Sequence, residues 1–406
     1  MKPAQPVGVV EFQARSGLPN VLHKLRGTDP VRIAYFGGSI TQSDPGWRVQ
    51  TQEWLQKTYP TAPLEMNMAA IAGTGSTLGV FRLDRDVLAH QPDLVFVEFA
   101  VNDIGADSHQ TRWAMEGIVR RIRRLRPTCD VCFVYTLSSE MTAELRAGRL
   151  PASTLLHEAV AAHYGIPSIH LGLEVVRLEG EKKLVFTADG AEKIRLEAEG
   201  KIVFARDTCH PVVEGHRLYT EAVQRAFRAL SHHASKPGPI PLPPPLDPGN
   251  WESAQMLPIL PGQAVGGCHP LAPADWPPIA WSVERWSSLW KAAAPGAGVT
   301  VRFRGTGLGI FDVVGPDSGT LALTIDGRPD RTVVRFDQHC EYFRRHYFMA
   351  VHSLPEGEHE VSLKLIPEPP DKAAIVGRPL AGEHTALYAN QVWYPAALMV
   401  LGHCIP

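Results

Sequence analysis

Four polar side chains have the types and spacing needed for nucleophilic chemistry on a carbonyl. Ser39 ends the run VRIAYFGGS (31–39), Asn102 follows the run DLVFVEFA (93–100), and Asp207 and His210 lie in DTCHP (207–211). Acyl transfer to water needs a hydroxyl nucleophile, a base to take its proton, a group to orient that base, and donors to meet the oxyanion. Ser39 supplies the hydroxyl, His210 the base, and Asp207, three residues earlier, the carboxylate that holds the other imidazole nitrogen. Asp-x-x-His is a common spacing. It becomes specific together with an early Gly-Gly-Ser turn and an Asn-Asp turn after a buried strand.

These residues need strand ends to carry them. Val31 to Phe36 reads as a strand covered on both faces, and Gly37-Gly38 permit a turn that other side chains would crowd. Ser39 then stands at the strand's C-terminal end, where ligands bind in an open parallel sheet. The bland alternative is a strand-to-helix turn whose serine caps the next helix. A phosphate loop is disfavoured, since the turn fits neither GxGxxG nor GxxxxGK[ST].

The rest of the first half keeps the same rhythm. Residues 1–30 read as an entry arm, 47–59 as a helix, 64–70 as a second strand ending in the small-residue turn Ala72-Gly73-Thr74-Gly75-Ser76, and 93–100 as a third strand. An amphipathic helix follows, with Met115, Ile118, Val119, Ile122 and Leu125 on one face. Its arginines at 120, 121, 123, 124 and 126 are expected to form a solvated outer face. Residues 131–137, 153–164 and 166–171 read as strand, helix and strand. This alternation predicts βαβ units and a parallel sheet. Residues 172–206 break the pattern as an insertion with two extended runs and a helix, and 215–230 form the closing helix.

Residues 236–248 hold seven prolines and read as an extended linker. Beyond them, short strands such as VTVRFRG, LGIFDVVG and HEVSLKLIP predict an all-β unit. The expected organisation is therefore a catalytic domain at 1–235, a linker at 236–248 and a β-sandwich at 249–406.

The chain has 406 residues, 40 basic and 42 acidic, with a net charge of −2. No global field attracts nucleic acid or an anionic membrane. The cysteines at 129, 132, 209, 268, 340 and 404 lack the dense spacing of a disulfide scaffold, and Cys129-x-x-Cys132 has no second pair to complete a zinc site. The visible N-terminus has no apolar run of signal-peptide length, so the expectation is a soluble protein, cytoplasmic or exported with its signal removed.

With these residues in view, the chain resembles the SGNH hydrolases, the GDSL esterases and lipases. FGGSIT resembles the first of the family's four blocks, with Gly38 where many members carry Asp. AAIAGTGS resembles the second, FAVNDIG the third, with Ala100 in place of the usual Gly, and DTCHP the last. The resemblance implies a flavodoxin-like three-layer α/β/α domain with a mostly parallel sheet, a triad of Ser39, Asp207 and His210, and an oxyanion hole from Ser39, Gly73 and Asn102. Gly75 is an alternative to Gly73. No metal or organic cofactor is implied.

The β unit's GTGLGIFDVVGPDSG resembles the jelly-roll modules attached to some SGNH carbohydrate acetylesterases. That implies a serine esterase acting on O-acetyl groups of an oligo- or polysaccharide, with Trp276, Trp281, Trp286, Trp290 and Trp393 as stacking surfaces or core. The alternatives are a general short-chain esterase or lipase, and a non-catalytic glycan-binding protein, which would be expected to have lost a triad member. Of the remaining polar groups, Glu98 reads as a satisfied buried carboxylate or a support for the site, Asp103 as the cap of the following helix, and His216 as a helix residue without ligand partners.

Overall fold

The computed structural model describes residues 9–232, 236–279, 288–380 and 385–405. Contacts divide the chain into two compact units, 1–252 and 253–406.

Unit one is built on a six-stranded sheet. Its strands are β1 (Phe12–Gln13), β2 (Val31–Gly37), β3 (Leu64–Met68), β4 (Leu94–Glu98), β5 (Asp130–Tyr135) and β6 (Ser168–His170). Their order is β1-β6-β5-β4-β2-β3; all neighbours are parallel except β1, which runs antiparallel to β6. The chain leaves β2 for β3 on one side and then crosses to β4 on the other. A topological switch point therefore lies at the C-terminal ends of β2 and β4, where the strand order opens a crevice.

The helices in chain order are α1 (Pro19–Lys24), α2 (Ser39–Gln42), α3 (Trp47–Thr58), α4 (Ser76–Asp86), α5 (Ser108–Leu125), α6 (Thr142–Arg146), α7 (Ala152–Tyr164), α8 (Leu173–Gly180), α9 (Gly190–Ala198) and α10 (Val213–Leu230). The insertion pairs β7 (Leu184–Thr187) in parallel with β8 (Ile202–Ala205) as a separate small sheet.

Central strands are largely apolar because helices cover both faces. Val31, Ile33, Ala34, Tyr35 and Phe36 of β2 are fully buried, as are Leu94, Val95 and Phe96 of β4. Tyr35 stacks on Phe96 at 5.2 Å between ring centroids, and the buried Trp47 meets both rings edge-on. This tryptophan is core, and its indole Nε1 donates to Thr41 Oγ1 at 3.2 Å.

The expected solvated arginine face on α5 is a correction. Arg120 and Arg123 are buried. Both reach the proline-rich segment, Arg120 donating to the Pro243 carbonyl at 2.9 Å and Arg123 to that of Pro241 at 3.2 Å. Arg120 and Arg124 pair with Glu252, and Arg121 with Asp84. The periodicity of α5 marks its apolar face but cannot reveal that a distant strap covers the opposite one.

Along that strap, the Ile240 N–H donates to Pro127 O at 2.7 Å, the Leu246 and Asp247 N–H groups donate to Glu116, and Trp251 buries itself over Gly117. A Cβ at Gly117 would stand 2.6 Å from the Trp251 carbonyl, so that helix position has room only for hydrogen. A chain ending at residue 252 is therefore expected to fold cooperatively, whereas one ending at 236 loses Trp251, whose burial is worth about 3–5 kcal/mol, and leaves Glu116 buried without its N–H partners. Its thermal midpoint should lie roughly 10 °C or more below that of the longer fragment. Equal midpoints in a calorimetric comparison would show that the strap contributes nothing to unit one.

Unit two is mostly β, its strands paired antiparallel, with one short α-helix, α11 (Lys372–Val376), among the described residues. Its strands are β9 (Ala254–Pro258), β10 (Ala264–Val265), β11 (His269–Pro270), β12 (Trp290–Lys291), β13 (Gly298–Val314), β14 (Thr320–Ile325), β15 (Arg328–Val334), β16 (Arg344–Val351), β17 (Gly357–Leu365) and β18 (Tyr394–Cys404). The main sheet runs β15-β14-β17-β13-β18-β9. The long β13 changes partner midway. Gly298 to Gly305 pair with β17, and Leu308 to Val314 pair with β16, with a register shift against β18 between Gly305 and Gly307. Trp290 and Trp393 are buried in this unit's core, which removes both as stacking surfaces, and Trp276 packs partly buried on a smaller cluster. Trp281 and Trp286 lie outside the described residues. No helix among the described residues is long and apolar enough to cross a membrane.

Candidate active site

Ser39 is the first residue of α2, directly beyond the C-terminal end of β2. The turn before it is tightly enclosed. A Cβ on Gly37 would approach the Glu98 carbonyl to 2.7 Å, and one on Gly38 would lie 1.9 Å from Asn102 Oδ1. Gly38 is thus glycine because the Asn102 amide occupies the space a side chain would need. The buried Arg82 guanidinium, stacked 4.5 Å from the Phe36 ring centroid, donates to the Gly37 carbonyl at 3.1 Å and to that of Ala69 beyond β3. One cation thereby ties together the two strand ends that precede Ser39 and Gly73.

The loop 206–211 between β8 and α10 is closed by Arg206 N–H donating to His210 O at 3.0 Å and by a bridge between Ala205 and Pro211. Within it, Asp207 Oδ1 accepts the N–H groups of Cys209 and His210 at 3.0 and 2.8 Å. The Ser139 N–H, just past β5, donates to Thr208 O at 2.8 Å and docks the loop onto the parallel sheet's C-terminal edge.

These anchors bring the sequence-predicted residues together. His210 Nε2 lies 2.8 Å from Ser39 Oγ, and His210 Nδ1 lies 2.8 Å from Asp207 Oδ2. Serine, imidazole and carboxylate form one hydrogen-bonded line across 171 residues of sequence. Burial pushes the Asp207 carboxyl up, but the two backbone donors and the imidazole outweigh it and hold the group below its ordinary value. It is therefore ionised at neutral pH. The Ser39 side is half-buried and the Asp207 side chain is 46% exposed, so the line opens to solvent at its acidic end.

Asn102 follows β4 and packs on Gly38, next to Ser39. Gly73 is exposed with φ +70, a left-handed conformation that suits glycine, and nothing stands within 4 Å of an added Cβ. Gly75, the alternative donor, is buried, and a Cβ there would meet Asp103 Oδ1 at 2.2 Å.

Asp103 is a second correction. It does not cap α5; Asp107 does, accepting from the Gln110 N–H at 2.9 Å. Asp103 is buried, accepts the Ser76 N–H at 2.9 Å and pairs with His157 Nε2 at 2.9 Å. It thus links the loops that carry Gly73 and Asn102. Sequence reasoning passed over His157, Thr41 and Thr136, because a lone histidine or threonine in an apolar segment gives no pattern. His216 is also buried. Its Nδ1 accepts the Trp47 N–H at 3.2 Å, and burial, aided by the charges of Arg206 and His210, lowers it to about 4, so it stays neutral.

Among the described residues, one group of His, Cys, Asp or Glu has donor atoms close enough to share a metal ion: Asp207, Cys209 and His210, within 4.8 Å of one another. Asp207 and His210 are already engaged with each other, and the histidine's second nitrogen with Ser39. Burial, reinforced by the Asp207 charge, pushes the Cys209 thiol up to about 11, away from the thiolate a metal requires.

The fold and this arrangement define an α/β/α hydrolase domain with a serine at the switch point of a flavodoxin-like sheet. Residues 35–218 match the model of the GDSL-like Lipase/Acylhydrolase family, and this part of the chain is a GDSL-like lipase/acylhydrolase domain. Two solved structures resemble the chain across both units. A two-domain esterase (CEX) active on acetylated mannans, co-crystallized with mannopentaose, is 19% identical, with a TM-score of 0.70 over 98% of this chain and 99% of that one. A second structure of a two-domain esterase (CEX) active on acetylated mannans is 18% identical, with a TM-score of 0.70 over 97% and 99%. No curated protein sequence matches the chain.

Proposed function

We propose that the chain is a serine esterase that removes O-acetyl groups from a carbohydrate through an acyl-enzyme. The observation that carries this reading is the unbroken line from Ser39 Oγ to His210 to Asp207, with both links at 2.8 Å. His210 Nε2 takes the Ser39 proton as Oγ attacks the ester carbonyl. Asp207, ionised, holds Nδ1–H, fixes the tautomer that leaves Nε2 free to accept, and stabilises the imidazolium that forms. The negative charge on the carbonyl oxygen is met by the N–H groups of Ser39 and Gly73 and the Asn102 amide. The exposure of Gly73, against the enclosure of Gly75 by Asp103, favours Gly73 as the loop donor. His210 then protonates the leaving sugar oxygen, and water, deprotonated by the same nitrogen, releases acetate.

The carbohydrate part of the reading is supported by the shared fold with the two-domain esterases active on acetylated mannans. It is tested by measuring acetate release from acetylated mannan and xylan oligosaccharides, alongside p-nitrophenyl acetate and octanoate. The expected result is release from at least one glycan and a kcat/KM for the acetate ester at least about 10-fold above that for octanoate. Faster octanoate hydrolysis with no glycan deacetylation would favour the lipase reading.

A further inference from the structure

We propose that Glu98 is a positioning residue for the nucleophile: its carboxylate accepts hydrogen bonds from the Gly38 N–H and the Thr41 hydroxyl and so holds the turn carrying Ser39 at the distance from His210 that proton transfer needs. This rests on the reading of Ser39 as nucleophile.

Glu98 is the last residue of β4 and is 1% exposed. Thr41 Oγ1 donates to Oε2 at 2.8 Å, Thr136 Oγ1 donates to Oε1 at 2.7 Å, and the Gly38 backbone donates to the same carboxylate. Two of these three donors, Gly38 and Thr41, bracket Ser39. All three are neutral. A carboxylate buried among neutral donors costs more than an apolar residue of similar size, and the rest of β4 is apolar. A strand that breaks its own pattern at the residue under the nucleophile turn is therefore read as serving the site.

The third donor extends the argument to the base. Thr136 follows β5 directly; the next residue, Leu137, donates its N–H to Tyr219 OH at 2.9 Å, and the Ser139 N–H holds the loop of Asp207 and His210 through Thr208 O. One carboxylate thus links the turn that carries the serine to the strand end that docks the histidine. Glu98 lies beneath the turn and acts through it.

Burial pushes the Glu98 carboxyl up to about 7, against the bonds from Thr136, Thr41 and Gly38, with the Asp103 charge adding to the rise. Cys209 and Tyr219 are the other titratable groups that feel its charge. Because the folded value lies above the ordinary 4.5, the stabilisation from this group is complete below about 4.5 and is lost as pH rises through about 7. Glutamine, which stays neutral, escapes that loss while keeping one acceptor where the carboxylate has two.

The test compares full-length wild type with Glu98→Gln and Thr41→Val at pH 8, using p-nitrophenyl acetate kinetics, the rate of Ser39 labelling by a fluorophosphonate, and thermal unfolding. The expected result for Glu98→Gln is a kcat about 10- to 100-fold lower with KM within about twofold. Its labelling should slow in proportion, and its thermal midpoint should be no lower than that of wild type. Thr41→Val should lower kcat in the same direction. Wild-type kcat and labelling in Glu98→Gln, or a loss of activity matched by a fall in thermal midpoint, overturns the positioning role and leaves the nucleophile reading intact. Labelling that persists in Ser39→Ala overturns both.

Discussion

Replacing Ser39 with alanine is expected to lower kcat on p-nitrophenyl acetate by about 10⁶-fold, the loss seen when the nucleophile of a serine triad is removed. The reason is that, among the described residues, the hydroxyl hydrogen-bonded to His210 Nε2 is that of Ser39, at 2.8 Å, and the oxyanion donors proposed at Gly73 and Asn102 would be left only to polarise the ester for attack by water. The substitution removes a single oxygen from a half-buried position, so thermal stability should change by less than about 1 kcal/mol. Activity therefore separates cleanly from folding. A folded Ser39→Ala protein with turnover near that of wild type would rule out the acyl-enzyme reading. Mass spectrometry of wild type trapped with a fluorophosphonate supplies an independent check, since the adduct should map to the peptide containing Ser39.

Asp207→Asn is expected to cost about 10⁴-fold in kcat while leaving KM nearly unchanged. Asparagine keeps the shape and can still accept the Cys209 and His210 N–H groups, so the loop should hold its form. What changes is the partner of Nδ1. The asparagine amide can donate there, which places the imidazole proton on Nε2, facing Ser39, where it cannot take the serine's proton. The loss of charge also removes the stabilisation of the imidazolium. The pH dependence distinguishes this from a folding defect. Since the Asp207 carboxyl is held below its ordinary value in the folded protein, its contribution to stability is present above the ordinary carboxylate range and is lost as pH falls through the folded value. Asp207→Asn should accordingly unfold slightly earlier than wild type at pH 7 and converge with it in acid, while the kcat defect remains at every pH where the two can be compared. A kcat within tenfold of wild type would mean that His210 is oriented by something other than Asp207.

The run of β2, five apolar residues in six with Arg32 the exception and ended by two glycines, leaves little choice but a buried strand stopping abruptly at Ser39, because such a run fits no exposed element. The same holds for DLVFVEFA and the turn at Asn102. The alternation of strands and helices fixes a parallel sheet, and parallel sheets gather their outgoing loops at one edge. Ser39, Asn102, Asp207 and His210 were legible for that reason: each sits at or beyond a strand end, where local pattern breaks visibly. The predominantly β character of the second unit was legible from its short strands and Gly/Asp/Pro punctuation, whereas its short helix at Lys372–Val376 was not.

Tertiary structure alone decided the contacts that depend on segments far apart in the chain. The α5 arginines look like a solvent face until residues 240–252 are seen lying across them, because a helix's own periodicity reports only how its residues are distributed around its axis. Asp103 looks like a helix cap from its neighbours, yet its partners are Ser76 and His157, which share no local pattern with it. Glu98 shows the division most sharply. The sequence by itself determined that a carboxylate would be buried, since it stands within an apolar strand. Which groups would satisfy it, Gly38 and Thr41 on one side and Thr136 on the other, depended on bringing the ends of β2, β4 and β5 side by side. Hydrogen bonds are short-ranged and directional, so their partners are set by three-dimensional neighbourhood, whereas burial is set largely by composition and can be read one segment at a time.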